Sequence, residues 1–120
     1  MKRDMDLARK ILFEMENSPN GFYEGDMFFE EYSSEQIGFH VHLLAEAGLI
    51  VGCDVTTMDS DSPIASPQSI TWRGYEFLDA CRDEERWINA KNIISKVKGA
   101  SFDITMMILT ELMKKQVLGA

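Results

Sequence analysis

The sequence predicts an α+β chain in which a helix, an extended segment and a second helix lead into a β-hairpin, followed by a helical carboxy-terminal extension. Three observations predict it. Apolar residues recur at helical spacing near the amino end, at Ala8, Ile11, Leu12 and Met15. A helix start at Ser33-Ser34-Glu35-Gln36 and a helix stop at Gly48 precede two strand-like runs separated by a polar loop. Beyond Thr71 the apolar period is helical throughout. At 120 residues, 45% apolar and 27% charged, the chain is sized for a single domain with one core. Within it, residues 1–72 form the first unit and residues 73–120 the helical extension.

Each element has a local reason. Asp4 or Asp6 suits the positive end of a helix dipole, so the first helix is expected to start there and run to about Asn17, before Ser18-Pro19-Asn20-Gly21. From Phe22 to Tyr32 aromatics and Met27 mix with acids without a helical period, and a short strand is expected around Asp26 to Glu30. Ser33 and Gln36 make a reciprocal capping box for the second helix, whose spine is Ile37, Val41 and Leu44. Gly48 supplies its left-handed end and Leu49 the apolar contact that accompanies such an end. Residues 49–57 and 68–72 are the expected hairpin strands, with Met58 to Pro67 as a loop rich in Asp, Ser and Pro. Three helices follow: one from Thr71 through Cys81, one from near Asp83 with Trp87, Ile93, Ile94 and Val97 inside and Gly99 as its stop, and one from Phe102 to about Leu118 capped by Ser101. Trp72, Tyr75, Phe77 and Trp87 are expected to be core, forming a seam for the carboxy-terminal helices.

Charge is distributed by region. Residues 1–10 carry +2, residues 11–72 carry −11 without a single lysine or arginine, and residues 73–120 carry +1, for a net charge of −8. Cys53 and Cys81 are isolated from one another and from any CxxC, which reads as two buried thiols in a reducing compartment rather than a zinc site or a disulfide. Two acids stand in the first six residues, where a signal peptide needs its apolar segment, and no uncharged run approaches the roughly 20 residues of a membrane span. A cytoplasmic protein without a membrane anchor is the expectation.

The order helix, strand, helix, hairpin, with Leu43-Leu44-Ala45-Glu46-Ala47-Gly48-Leu49-Ile50 turning out of the second helix, resembles a winged helix-turn-helix. The usual middle helix is reduced or replaced by the expected strand. The resemblance implies a fold and leaves the ligand open. Over essentially its whole length the chain also resembles an uncharacterised bacterial and prophage family, DUF2513-like, with three motifs in order. These are the opening Met1-Lys2-Arg3-Asp4-Met5-Asp6-Leu7, the Leu43 to Ile50 string, and Ile70-Thr71-Trp72-Arg73-Gly74-Tyr75-Glu76-Phe77-Leu78-Asp79-Ala80 followed by Arg82-Asp83 and Trp87. It implies a mobile-element setting and no established activity.

If the second helix read DNA, its contacts would be Gln36, His40 and His42. Glu35 and Glu46 on the same helix and Asp59 and Asp61 in the wing oppose this, because phosphate binding rests on cations. A separate basic face could be built from Lys2, Arg3, Arg9 and Lys10 with Arg86, Lys91, Lys96 and Lys98. The last helix is apolar over more of its circumference than one packed face needs, and Phe102, Met106, Leu109 and Met113 mark a dimer stripe beside Ile104, Ile108 and Leu112. His40 and His42 stand about 200° apart on a helix and cannot share a metal. His40 is expected to be partly buried and hydrogen-bonded. No phosphate loop, nucleophile elbow or HExxH is present. The reading is a non-enzymatic regulatory or interaction module without cofactor or metal, a homodimer that meets a protein partner through an acidic surface; its alternative is a DNA-binding transcriptional regulator.

Overall fold

The computed structural model of the chain describes residues 1–97 and 101–119. They form an α+β structure with five helices and one two-stranded antiparallel sheet, in the order α1 (Met5–Glu16), α2 (Ser34–Glu46), β1 (Ile50–Asp54), β2 (Ala65–Ile70), α3 (Trp72–Cys81), α4 (Glu84–Ile94) and α5 (Phe102–Val117). The chain divides into two compact units, Met1–Tyr75 and Glu76–Ala120, so that the division falls inside α3.

In the first unit the caps follow the expected chemistry. The Asp4 carboxylate accepts from the amides of Asp6 and Leu7 at 2.9 and 3.2 Å, and Leu7, Ile11, Leu12 and Met15 of α1 are buried. The Ser33 hydroxyl accepts from the Gln36 amide at 3.1 Å while the Ser33 amide donates to Gln36 Oε1 at 2.8 Å. Gly48 takes φ +79°, which lets its amide reach the Ala45 carbonyl and the Leu49 amide reach that of Leu44. That pair of hydrogen bonds is a Schellman ending. Ile37, Val41 and Leu44 pack with α1, Leu49 and Ile50 into one core.

The hairpin is shorter on one side and longer on the other than its sequence suggests. Ile50 pairs with Ile70, Val51 with Ser69, and Gly52 with Pro67, leaving Gln68 as an extra residue at an irregularity. Pro67, expected in the loop, lies inside β2. It is tolerated because a two-stranded sheet has only edge strands.

No strand forms at Asp26 to Glu30. Gly21 and Gly25 take φ of 80° and 83°, which breaks the extended run on its approach. The segment is instead pinned at points. The Tyr23 amide donates to the Gln68 carbonyl at 2.8 Å, the Tyr32 hydroxyl reaches Asp4 Oδ2 at 3.2 Å, and Lys10 meets Glu31 at 3.0 Å while lying over the rings of Phe29 and Tyr32.

The turn from β2 into α3 is crowded. The Thr71 hydroxyl donates to the Gly48 carbonyl at 2.7 Å and accepts from the Gly74 amide at 3.1 Å. Gly74 is buried so close to the base of the hairpin that any Cβ would collide with the Leu49 carbonyl oxygen and come within 2.7 Å of Ile70 Cγ2.

The second unit centres on Phe77, Leu78 and Cys81 of α3, Trp87 and Ala90 of α4, and Leu109 of α5. Phe77 meets Trp87 edge-on, with centroids 6.2 Å apart. Asp83 caps α4 by accepting from the Arg86 amide, and Ser101 caps α5 by accepting from the Ile104 amide. Several burial expectations fail. Trp72 is 82% exposed, and Tyr75, Ile93 and Val97 are exposed as well, so the aromatic seam reduces to Phe77 and Trp87. α4 stops at Ile94, before Val97 can join its apolar face, and the stop expected at Gly99 lies outside the described residues. Cys81 is buried, but Cys53 is exposed. Among the described residues no helix is long and apolar enough to cross a membrane.

Candidate functional site

The face that a DNA reader would present is α2, and the structure spends most of its polar groups internally. Gln36 Oε1 is held by the cap. His40 is 2% exposed, and both ring nitrogens are used: Nε2 lies 2.8 Å from the Asp4 amide and Nδ1 lies 2.8 Å from the Gln36 carbonyl. An amide can only donate, so Nε2 accepts and Nδ1 carries the proton that bonds Gln36. His40 therefore ties α2 to the start of α1 and cannot touch a ligand. His42 is half-buried, lying 3.6 Å from Glu46 Oε2 with its ring stacked on Phe39. Of the three recognition residues read from sequence, His40 is thus internal, Gln36 is a cap, and His42 faces a carboxylate.

Glu35 has a role that no sequence signal carries. Its Oε1 accepts from the amides of Asp61 and Ser62 at 3.1 and 3.0 Å and from the Ser62 hydroxyl at 2.8 Å, fastening the hairpin loop to the first turn of α2. At the loop's base Thr56 Oγ1 lies 2.6 Å from Asp54 Oδ1 and accepts from the Ile64 amide at 3.0 Å. These bonds from the Thr56 hydroxyl and amide hold the Asp54 carboxyl below its ordinary range. Glu31 is lowered by its hydrogen bond from Lys10. Tyr32 is raised, first by burial and then by the Asp4 charge, and Tyr23 is raised by burial and then by Glu14 and Asp26.

Between α2, the hairpin and the pinned segment runs a groove of about 400 Å³. Ile37 and Val41 line it from α2, Val55, Ile64 and Pro67 from the hairpin, and Met27 from the segment. Asp26 is the one charged residue in its lining. Gly38 sets the width, since a Cβ there would lie 3.0 Å from Ile64 Cβ.

The basic residues are divided between the units. In the first, Lys10 is paired with Glu31 and the Arg9 guanidinium lies 4.8 Å from the centre of the Phe13 ring, while Lys2 and Arg3 are exposed. In the second, Arg86 bonds Gln116 Oε1 through Nε and NH2 and the Ala80 carbonyl through NH1, which makes it a clamp between helices. Lys91 lies over Trp87, Lys96 is exposed, and Lys98 lies outside the described residues. The expected dimer stripe is also split. Leu109 is fully buried and Phe102 packs at 5.4 Å on Phe77, so both belong to the core. Met106 and Met113 instead line a groove of about 580 Å³ with Val117 and Leu118.

Among the described residues no three His, Cys, Asp or Glu side chains are grouped so as to hold a metal ion. What these elements define is an α+β protein with an acidic first unit and an apolar groove beside α2. The chain belongs to the family described as a hypothetical protein (DUF2513), which matches residues 2–101. It is 34% identical over 109 residues to an uncharacterized protein of Haemophilus influenzae, covering 88% of this chain and 86% of that one. No solved structure matches.

Proposed function

We propose that the chain is a non-enzymatic, winged-helix-like interaction module of a bacterial or prophage regulatory system, which docks a basic protein partner through its acidic first unit. The observation that carries this reading is the state of α2. Its base-reading side chains are a cap, an internal hydrogen-bond bridge and a carboxylate neighbour, while Glu24, Asp26, Glu46, Asp54, Asp59 and Asp61 of the same unit are exposed. Such a surface repels a phosphate backbone and attracts cationic protein. Fluorescence anisotropy with labelled duplex DNA at low and physiological salt tests it. No complex is expected at either concentration; one that tightens steeply as salt falls would return the chain to the DNA-binding class, through α2 or through the exposed Lys2, Arg3 and Lys96.

The second unit supports homodimerisation. Met106, Met113, Val117 and Leu118 leave an apolar groove along α5, whose lining also holds Glu76 and Asp79 of α3 and Lys114 of α5. Two copies paired about a two-fold axis can set each Lys114 against the acids of its mate. Light scattering at micromolar concentration is expected to give the mass of a dimer, and a strict monomer removes this part of the reading.

A further inference from the structure

The groove beside α2 has the chemistry of a peptide-binding site, and we propose that it receives the apolar face of a lysine- or arginine-rich amphipathic helix. The inference rests on the docking reading above and names its site and its partner's chemistry. Ile37 and Val41 are 4% and 1% exposed and make a fixed floor, whereas Phe28 and Val55, also in the lining, are 78% and 43% exposed and stand at the rim. Apolar side chains displayed around a formed concavity gain by covering one another with a second apolar surface.

The charge decides what kind of apolar surface. Asp26 lines the groove, Glu24 and Asp54 are each one residue along the chain from a lining residue, and all three are exposed. No lysine or arginine stands anywhere between Ile11 and Trp72 to balance them. An acidic or neutral helix would bring nothing to these carboxylates, and a second copy of this unit would bring like charge. The backbone argues for a helix over an added strand. Pro67 has no amide to offer, and the Gln68 carbonyl beside it is already taken by Tyr23, so a strand laid along β2 would lose bonds at both positions.

The test uses the full chain and fluorescently labelled peptides. A short leucine–lysine peptide with its leucines on one helical face is expected to bind, and a scrambled peptide of the same composition is expected to bind at least about tenfold more weakly. Val55→Lys, at the rim, is expected to reduce affinity for the amphipathic peptide by about tenfold or more. Met58→Lys makes the same charge change at a fully exposed loop position outside the lining and is expected to cost no more than about twofold. Phe28→Ser provides a second rim variant without a charge change, and circular dichroism checks that each variant is folded. Equal losses in Val55→Lys and Met58→Lys, or equal binding of the scrambled peptide, would overturn the groove and leave acidic docking standing. Failure of every cationic peptide to bind would overturn both.

Discussion

Gly74 shows how a single residue can hold a fold without announcing itself. Within Trp72-Arg73-Gly74-Tyr75 it reads as an ordinary helix residue of poor propensity, yet its missing Cβ is what lets the start of α3 lie against the Leu49 carbonyl. Leu49 belongs to the ending of α2, so one atom at position 74 would disturb the helix stop, the hairpin base and the next helix together. Gly74→Ala is expected to lower unfolding free energy by about 1–3 kcal/mol, in the range of other overpacked sites, and urea denaturation followed by circular dichroism measures it. A variant as stable as the parent would show that the contact relaxes at no cost. The polar residues of α2 teach the complementary lesson. Gln36 was legible as a cap, because Ser33 stands three residues before it, and the buried, bonded state of His40 was legible from its apolar neighbours. What the sequence did not contain was the distant partner of His40, because the bond from the Asp4 amide spans 36 positions and leaves no local pattern.

At the scale of elements, the parts that could be read were those whose signals are local. The start at Asp4 or Asp6, the Ser33–Gln36 box and the Gly48 ending placed three helix termini closely, since each depends on groups no more than five positions apart, and the structure selects Asp4 as the first cap. The segment between α1 and α2 could not be read that way. Its aromatic and acidic content suggests a strand, but its conformation follows from two left-handed glycines and from bonds to Gln68, Asp4 and Lys10, all distant in sequence. Trp72 failed for a different reason: five positions from Phe77 puts the two side chains about 140° apart on a helix, so they do not share a face, and Phe77 is buried while Trp72 is exposed. The hairpin loop is the element whose stability is most open to test. Glu35 supplies three acceptor contacts to Asp61 and Ser62, and removing it leaves those amides to solvent. Glu35→Ala is therefore expected to speed hydrogen exchange at Asp61 and Ser62 by about tenfold while changing the melting temperature little, because the loop can open without the core. Unchanged exchange at both amides would show that Thr56 alone secures the loop.

At the scale of the whole molecule, charge is the organising variable. The eleven carboxylates between Ile11 and Trp72 were countable from sequence, and none of them is buried in the structure. Some are used locally: Glu31 by Lys10, Glu35 by the loop, and Asp54 by Thr56. Glu24, Asp26, Glu30, Asp59 and Asp61 are all exposed and repel one another across a unit whose own cations are confined to its two ends in sequence. Self-repulsion of this kind destabilises the compact state and is screened by salt, the Debye length falling from about 30 Å at 0.01 M to about 8 Å at 0.15 M. Salt also weakens exposed ion pairs such as Lys10–Glu31, but with a net charge of −8 like-charge repulsion is expected to dominate the response. Sodium chloride raised across that range is expected to increase the melting temperature of the full chain by a few degrees, equivalent to about 1 kcal/mol for a chain of this size. Potassium chloride is expected to act equally, since screening is indifferent to the identity of a monovalent cation. Replacing Glu24 by Gln and Asp26 by Asn together is expected to raise the melting temperature at low salt and to shrink the increment that salt produces. A melting temperature that falls with salt would show that attraction, and not repulsion, dominates this surface, and the case for a cationic partner would lose its electrostatic footing.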